Sequence, residues 1–237
     1  MNDPTHDHPR RPTPSATDVS HREREVLGDG PRIGPLQVDE LTADVAVIVE
    51  RMIAVNEAIN ARRKTELYGL QSDDATLRAE RLAGMSEIMR TMLRHTDLFA
   101  RQTEIGIQLL GKGALAPRDR ELAVLRIGWL CQAPYEWGEH VHVARSVGIT
   151  RDEVERVTQG SAAPGWNAHE AAILRAVEEL YGNAMISDAT WATLAETLDD
   201  KQLIELPIVI GQYQTVAYYQ NSLRLRLHEG NAGLKAR

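Results

Sequence analysis

Apolar residues recur with the period of an α-helix through most of this sequence. The same spacing appears in the segments 45–53, 80–94 and 96–110, and no segment shows the convincing alternation of a half-buried strand. A single Phe, with abundant Ala, Leu, Val and Ile, also favours helices packed on helices. The sequence therefore predicts an all-α fold. The apolar stripe of the first segment consists of Val45, Ile48, Val49, Met52 and Ile53.

Capping residues predict where several helices begin and end. Gly111 and Gly113 are expected to close the helix of 96–110, and Pro117 to open the next one. Thr150 and Glu153 form a capping box, and Ser187 is a predicted N-cap. Further helices are expected at about 134–147, 168–182, 188–197 and 200–226, with a loop at 160–167.

The chain is long enough for one sizeable domain with tails. Residues 1–35 are rich in Pro, His, Asp, Arg, Ser and Thr without an apolar period, so we expect a flexible N-terminal arm. A single helical domain is predicted over 36–230, followed by a C-terminal tail at 231–237. The charged insert near 60–80 has no clear assignment.

Charge and cysteine content exclude several classes of function. The formal net charge is −7 and there is no long basic run, so neither nucleic acid nor an anionic membrane is an expected partner. One cysteine excludes both an intramolecular disulfide and a Cys-x-x-Cys redox pair. The sequence also lacks a secretory signal and an apolar run of the ~20 residues that a membrane span needs. We expect a cytoplasmic protein.

Three titratable residues lie near the joint of a predicted helical hairpin. Pro134 opens its second helix, on which Glu136 and His140 share one face at i, i+4 spacing. Glu121 lies in the first turn of the preceding helix. A carboxylate beside an imidazole stabilises the protonated ring, so this group is a candidate for proton transfer. The alternative is that these residues are ordinary solvent-exposed polar side chains of a helical hairpin.

Other polar and aromatic residues of the hairpin are candidates for substrate contact. Arg126 and Arg145 have the charge to bind a substrate carboxylate, although exposed helical arginines are usually only solvated. Tyr135 and Trp137 are aromatic candidates for the same pocket, or members of the core. No metal site is expected, because His140 and His142 are two positions apart and point to different faces of the helix. Cys131 is interpreted as a packing residue.

The segments 117–126, 135–141 and 144–150 resemble the carboxymuconolactone decarboxylase family. The residues that carry the resemblance read PRDRELAVLR, YEWGEHV and ARSVGIT, and 187–191 and 202–206 are similar to the downstream segments of that family. The resemblance covers about residues 30–230. It implies the alkylhydroperoxidase D-like fold, a helical bundle with a central antiparallel hairpin, which assembles into homo-oligomers, either trimers or hexamers.

This family has two main chemistries. Its peroxidases use a glutamate, a Cys-x-x-Cys pair and a histidine, whose positions fall here on Glu121, Ala133, Glu136 and His140. Without two thiols the peroxidase turnover is blocked. The resemblance is therefore to the thiol-free branch, which implies a decarboxylase that needs no cofactor and acts on a small carboxylated lactone or an aromatic-acid breakdown product.

The resemblance implies roles for the three titratable residues. His140 would donate a proton, and Glu136 would hold the His140 side chain in place. Glu121 would orient His140 or act as a second acid or base. An isomerase on a similar substrate, and a non-catalytic binding or assembly protein, are the alternatives. The chain departs from many relatives at Gln212 and Gln214, where a histidine is expected.

Overall fold

The structure is a computed structural model that describes residues 19–43, 45–49, 80 and 82–237. These residues are helical or irregular, and none of the described residues forms a strand, so the all-α prediction is confirmed. The chain divides into two compact units. One is Pro31–Gly113, and the described part of the other comprises residues 19–30 and 114–237. The range 36–230, expected as a single domain, includes parts of both units.

The unit Pro31–Gly113 has its own small apolar core. Val45 and Val49 are buried in it as the helical stripe predicted, whereas Met52 and Ile53 lie outside the described residues. The helix expected over 80–94 is interrupted at Met85 and Ser86, where Ser86 adopts an extended conformation. The unit contains α2 (Glu87–Met92), a 3₁₀ turn (Leu93–His95) and α3 (Thr96–Gly111).

The other unit contains the remaining helices. Pro117, Pro134, Thr150 and Ser187 begin or cap helices at the predicted positions. The helices are α1 (Val19–Leu27), α4 (Pro117–Leu130), α5 (Pro134–Ser146), α6 (Arg151–Gln159), α7 (Ala168–Asn183), α8 (Asp188–Ala195) and α9 (Asp200–Leu223).

Helix α4 forms the centre of this unit. Every residue from Arg120 to Leu130 is buried, because α5, α6, α7 and α9 all pack against this helix. A helix that is covered on all sides must pair its polar side chains inside the protein, since buried charges without partners are costly. Candidate catalytic residues are therefore expected among the polar residues of α4.

Helices α4 and α5 form the predicted antiparallel hairpin. The connection is only Cys131–Ala133, and Gln132 has a left-handed φ of 48° that turns the chain back. Gly128 lies against Glu136, and Glu121 lies against His140, so the two helices run in opposite directions. No described helix is both long and apolar enough to cross a bilayer.

Described parts of both predicted tails are more ordered than expected. Residues 19–27, within the predicted flexible arm, form α1, while residues 1–18 of that range lie outside the described residues. The predicted tail contains a 3₁₀ turn, Gly233–Lys235, with Leu234 fully buried. The backbone N–H of Leu234 donates to Glu23 Oε1 of α1. These short segments are ordered by such tertiary contacts, which local sequence patterns do not show.

Candidate functional site

Glu121 is the most deeply buried of the three titratable candidates. Its side chain is 0% exposed. Its two carboxylate oxygens have different partners: Oε1 accepts from Arg120 Nε at 3.0 Å, and Oε2 lies 2.7 Å from His140 Nδ1. Glu121 is the fifth residue of α4, beyond the first turn expected from the sequence. The side-chain partners Arg120 and His140, rather than the helix terminus, therefore stabilise its charge.

His140 lies between two carboxylates. Its Nδ1 hydrogen-bonds Glu121, and its Nε2 is 3.2 Å from Glu136 Oε1. The second contact is an ion pair without the angle of a hydrogen bond, since Glu136 Oε1 has no hydrogen-bond partner. The His140 side chain retains 10% exposure, against 5% for Glu136 and none for Glu121. The imidazole is therefore the most accessible of the three groups.

Helix α9 completes the site with two residues that the sequence analysis did not select. Gln220 Nε2 donates to Glu136 Oε2 at 2.7 Å. The ring of Tyr213 meets the His140 ring edge-on, with centroids 4.8 Å apart. Leu206, Tyr213 and Gln220 recur at seven-residue spacing on the buried face of α9. A polar glutamine on this apolar stripe was the available signal for its role.

Charge pairing fixes the protonation state of the cluster. Burial opposes the charged imidazole, but Glu136 and Glu121 outweigh it and raise the pKa of His140 to about 10. Burial likewise opposes the Glu121 anion, yet His140 and Arg120 hold the pKa of this carboxyl below its usual value. Burial, Glu136 and Glu121 together raise the pKa of Tyr213, which keeps its hydroxyl protonated.

The arrangement is thus a buried imidazolium held by two carboxylates. At neutral pH His140 carries a proton on each ring nitrogen. Glu121 accepts the hydrogen bond from Nδ1–H, and Glu136 faces Nε2–H. Arg120 supplies a second positive charge next to Glu121. The two carboxylates, Glu121 and Glu136, balance the positive charges of His140 and Arg120. The cluster therefore has no net charge before it donates a proton. No group of three or more His, Cys, Asp or Glu side chains among the described residues has an arrangement that could hold a metal ion.

Arg126 lies away from the His140 cluster, although its charge had suggested a role in binding a substrate carboxylate. Its side chain is only 2% exposed. It donates to Glu178 from Nε and to the carbonyls of Val157 and Thr158 from Nη1. On α4 it is five residues from Glu121, and therefore on a different face. The prediction that Arg126 binds a substrate carboxylate is corrected: it ties α4 to α6 and α7.

The two aromatic candidates belong to the packing of the C-terminal segment. Trp137 is fully buried, stacks near Trp129 with centroids 4.9 Å apart, and donates from Nε1 to the carbonyl of Ala236. Its ring is therefore unavailable as a substrate platform, contrary to the prediction. Tyr135 is also buried, and its backbone carbonyl accepts from Asn231.

The remaining candidates lie away from the His140 cluster. Arg145 is exposed and five residues beyond His140, hence on another face of α5. Gln214 donates to Tyr218 Oη, and Gln212 is half-buried, so neither occupies the position that Gln220 takes. Cys131 is the C-cap of α4 and only partly buried.

Comparison with known proteins supports the fold and the family. The model of the carboxymuconolactone decarboxylase family matches residues 96–179. A crystal structure of a protein of unknown function from Agrobacterium tumefaciens, described as a candidate antioxidant defence protein AhpD, matches with a TM-score of 0.51 and 18% identity. The match covers 56% of this chain and 92% of that one. No curated protein matches the sequence. The predicted AhpD-like fold is confirmed.

Proposed function

We propose that this protein, whose residues 96–179 match the model of the carboxymuconolactone decarboxylase family, is a cofactor-free proton-transfer enzyme. Its substrate is a small carboxylated lactone or a related aromatic-acid breakdown product, from which it removes carbon dioxide. The observation that carries the proposal is the His140 imidazolium, buried between Glu121 and Glu136.

The reaction needs a proton for carbon. When the substrate carboxylate leaves as CO₂, the electron pair of the broken C–C bond remains on the substrate as a delocalised carbanion. His140 donates its Nε2 proton to that carbon, a C–H bond forms, and the imidazole regains a proton from solvent. Atoms and charges balance without a redox partner. A low-polarity site strengthens the stabilisation of the developing anion by fixed donors.

The surrounding groups keep the proton on His140 until it is needed. A pKa of about 10 means that the imidazole is protonated before a substrate arrives at neutral pH. Glu121 fixes the ring through Nδ1, which leaves Nε2 as the donating atom. Glu136 faces Nε2 and stabilises the charged ring. The protonated hydroxyl of Tyr213, on the ring packed against His140, is a further donor for an oxyanion.

Thiol peroxidase chemistry is disfavoured, although the structural neighbour is described as an antioxidant protein. Cys131 is the only cysteine in the chain, so no resolving thiol exists within it. We expect Cys131→Ser to retain full activity. Loss of activity in that variant would revive a thiol mechanism.

An isomerase is the second candidate, because the same imidazolium can move a proton within a substrate. The two reactions are separated by their products. A panel of carboxylated lactones and ring-cleavage products of hydroxylated aromatic acids is incubated with the protein, and CO₂ release and ultraviolet absorbance are followed together. CO₂ indicates decarboxylation, a spectral change alone indicates isomerisation, and neither response to any substrate favours a binding or assembly protein.

The matched variants for this assay are His140→Gln and His142→Gln. Both residues are on α5, but only His140 is buried in the cluster, whereas His142 is exposed. Removing a general acid lowers turnover by ~10²-fold or more. We expect that loss for His140→Gln and none for His142→Gln. Equal turnover in the two variants would remove His140 from the mechanism.

Self-association through α9 is part of the proposal. Ile204, Ile208 and Tyr218 are 63%, 50% and 48% exposed on one side of this helix. Exposed apolar side chains at helical spacing are typical of a contact between subunits. Sedimentation of the wild-type protein should show a homo-oligomer, in the trimer or hexamer range, and Ile208→Lys should shift it towards the monomer.

A further inference from the structure

Two buried oxygen atoms of the Glu136–Gln220 pair lack a hydrogen bond. Glu136 Oε1 and Gln220 Oε1 are both buried, and neither has a hydrogen bond within the protein. Glu136 is 4% exposed and Gln220 3% exposed. A buried polar atom without a partner is costly, so such atoms in a native protein usually meet a ligand or an ordered water.

The contact between these two side chains fixes the direction of the glutamine amide. Gln220 Nε2 lies 2.7 Å from Glu136 Oε2. A carboxylate only accepts hydrogen bonds, so the amide nitrogen of Gln220 must face it and the amide oxygen must point elsewhere. The two unpartnered oxygens are therefore both acceptors. A group that satisfies them must supply hydrogen.

One of the two acceptors, Glu136 Oε1, lies next to the reactive edge of the imidazole. Glu136 Oε1 is also the atom that is 3.2 Å from His140 Nε2. A small group that donates to Glu136 Oε1 is thus held beside the nitrogen that would donate the catalytic proton. An O–H group is the smallest ligand group with this chemistry, and it is present in hydroxyl-bearing acids and in water.

We propose that Gln220 is a positioning and specificity residue: its amide nitrogen fixes Glu136 beside His140, so that Glu136 Oε1 accepts from a hydroxyl group of the ligand. This inference rests on the proposed function only where it concerns the reaction. The binding of the ligand does not depend on that function. It assigns the ligand class as hydroxyl-bearing carboxylic acids, or their enol forms, rather than acids with no O–H donor next to the reacting carbon.

The specificity is tested by binding, without turnover. The probes are 4-hydroxybenzoate and its methyl ether, 4-methoxybenzoate, and binding is followed through the ¹⁵N and ¹H signals of the His140 ring in histidine-labelled protein. Leaving a buried acceptor unpaired weakens binding by about tenfold or more. We expect the hydroxyl probe to bind at least about tenfold tighter to the wild-type protein, and the preference to disappear in Gln220→Met.

Gln214→Met is the matched control, because Gln214 is on the same helix but donates to Tyr218 away from the cluster. This variant should keep the preference. Equal binding of the two probes to the wild-type protein, or binding of neither, would mean that Glu136 Oε1 accepts from water only. Failure of every substrate in the CO₂ panel would leave this binding result unaffected, so the two proposals fail separately.

The positioning role is tested by titrating His140. The groups that face the ring or its carboxylates are Glu121 and Arg120 from α4, Glu136 from α5, and Tyr213 and Tyr219 from α9. Without the Gln220 donor, Glu136 loses the hydrogen bond that holds it beside the imidazole, so the carboxylate can move away and support the charged ring less. The titration midpoint of His140 should fall in Gln220→Met and stay unchanged in Gln214→Met. An unchanged midpoint in both variants would overturn the positioning role.

Discussion

His140 Nδ1 lies 2.7 Å from Glu121 Oε2, although the two residues are 19 positions apart in the chain. The contact crosses the α4–α5 hairpin, which brings its two helices together directly after the turn at Gln132. It places a fully buried carboxylate against an imidazole that has only slight access to solvent. The hairpin therefore builds the charged cluster, and α9 adds contacts to it from Gln220 and Tyr213.

Replacing Glu121 by Gln removes the charge that holds His140 while keeping the size of the side chain. The pKa of His140 should fall from about 10, because one of its two supporting anions is lost. NMR titration of the His140 ring measures this. Glu196→Gln, at the exposed C-cap of α8, is the control and should leave the midpoint in place. A midpoint that does not move in Glu121→Gln would contradict the charge pairing described above.

The cluster makes stability depend on pH in a defined direction. The pKa of His140 is raised from 6.5 to about 10 on folding, so its stabilising effect is complete below about 6.5 and is lost as pH rises through about 10. The pKa of Glu121 is lowered from 4.5, so its effect is present above 4.5 and is lost as pH falls below that value.

The His140 effect is measured by urea unfolding of the wild-type protein and His140→Gln at two pH values, about 6 and about 10. The difference in the free energy of unfolding between the two proteins should shrink at the higher pH, where the wild-type imidazole becomes neutral. Taking the difference removes the contribution of other titrating groups. A difference that stays constant across this range would show that His140 is not charged in the folded protein.

Arg126→Met should destabilise the protein without affecting turnover per folded molecule. It removes the guanidinium that donates to Glu178, and breaking a largely buried pair in this way costs ~3 kcal/mol. Arg175→Met, at an exposed site on α7, should change the free energy of unfolding by less than ~0.5 kcal/mol. A raised KM with unchanged stability would instead restore the substrate-binding role that the sequence suggested for Arg126.

Gly138→Ala should loosen the C-terminal segment from α5. A Cβ at this position would lie 1.8 Å from Asn231 Oδ1, so Asn231 must move, and overpacking of this kind costs ~1–3 kcal/mol. Tryptophan fluorescence should change with it, because Ala236 and Arg237 contact Trp137. Gly182→Ala, on α7 with nothing within 4 Å of the added Cβ, is the control and should be neutral or slightly stabilising. Equal effects of the two changes would contradict the close approach of Asn231.

Local patterns in the sequence were enough to predict helices α3 to α9 and the pairing of Glu136 with His140. Periodicity and capping act within a few residues along the chain, so they predicted α3 to α9 closely and placed the titratable pair on one face of α5. The position of Glu121 on the preceding helix of the hairpin made it the third candidate, and the family resemblance implied a role for it. These are local properties, and local sequence patterns carry them.

Tertiary structure alone decided which residues from other helices meet this pair. Gln220 and Tyr213 reach it because α9 turns one particular face towards the hairpin, and Arg126 misses it because its face of α4 points to α6 and α7. It also decided that the last residues pack over Trp137 rather than forming a free tail. The rotation of each helix about its own axis depends on how all the helices share one core, and no spacing within a single helix encodes it.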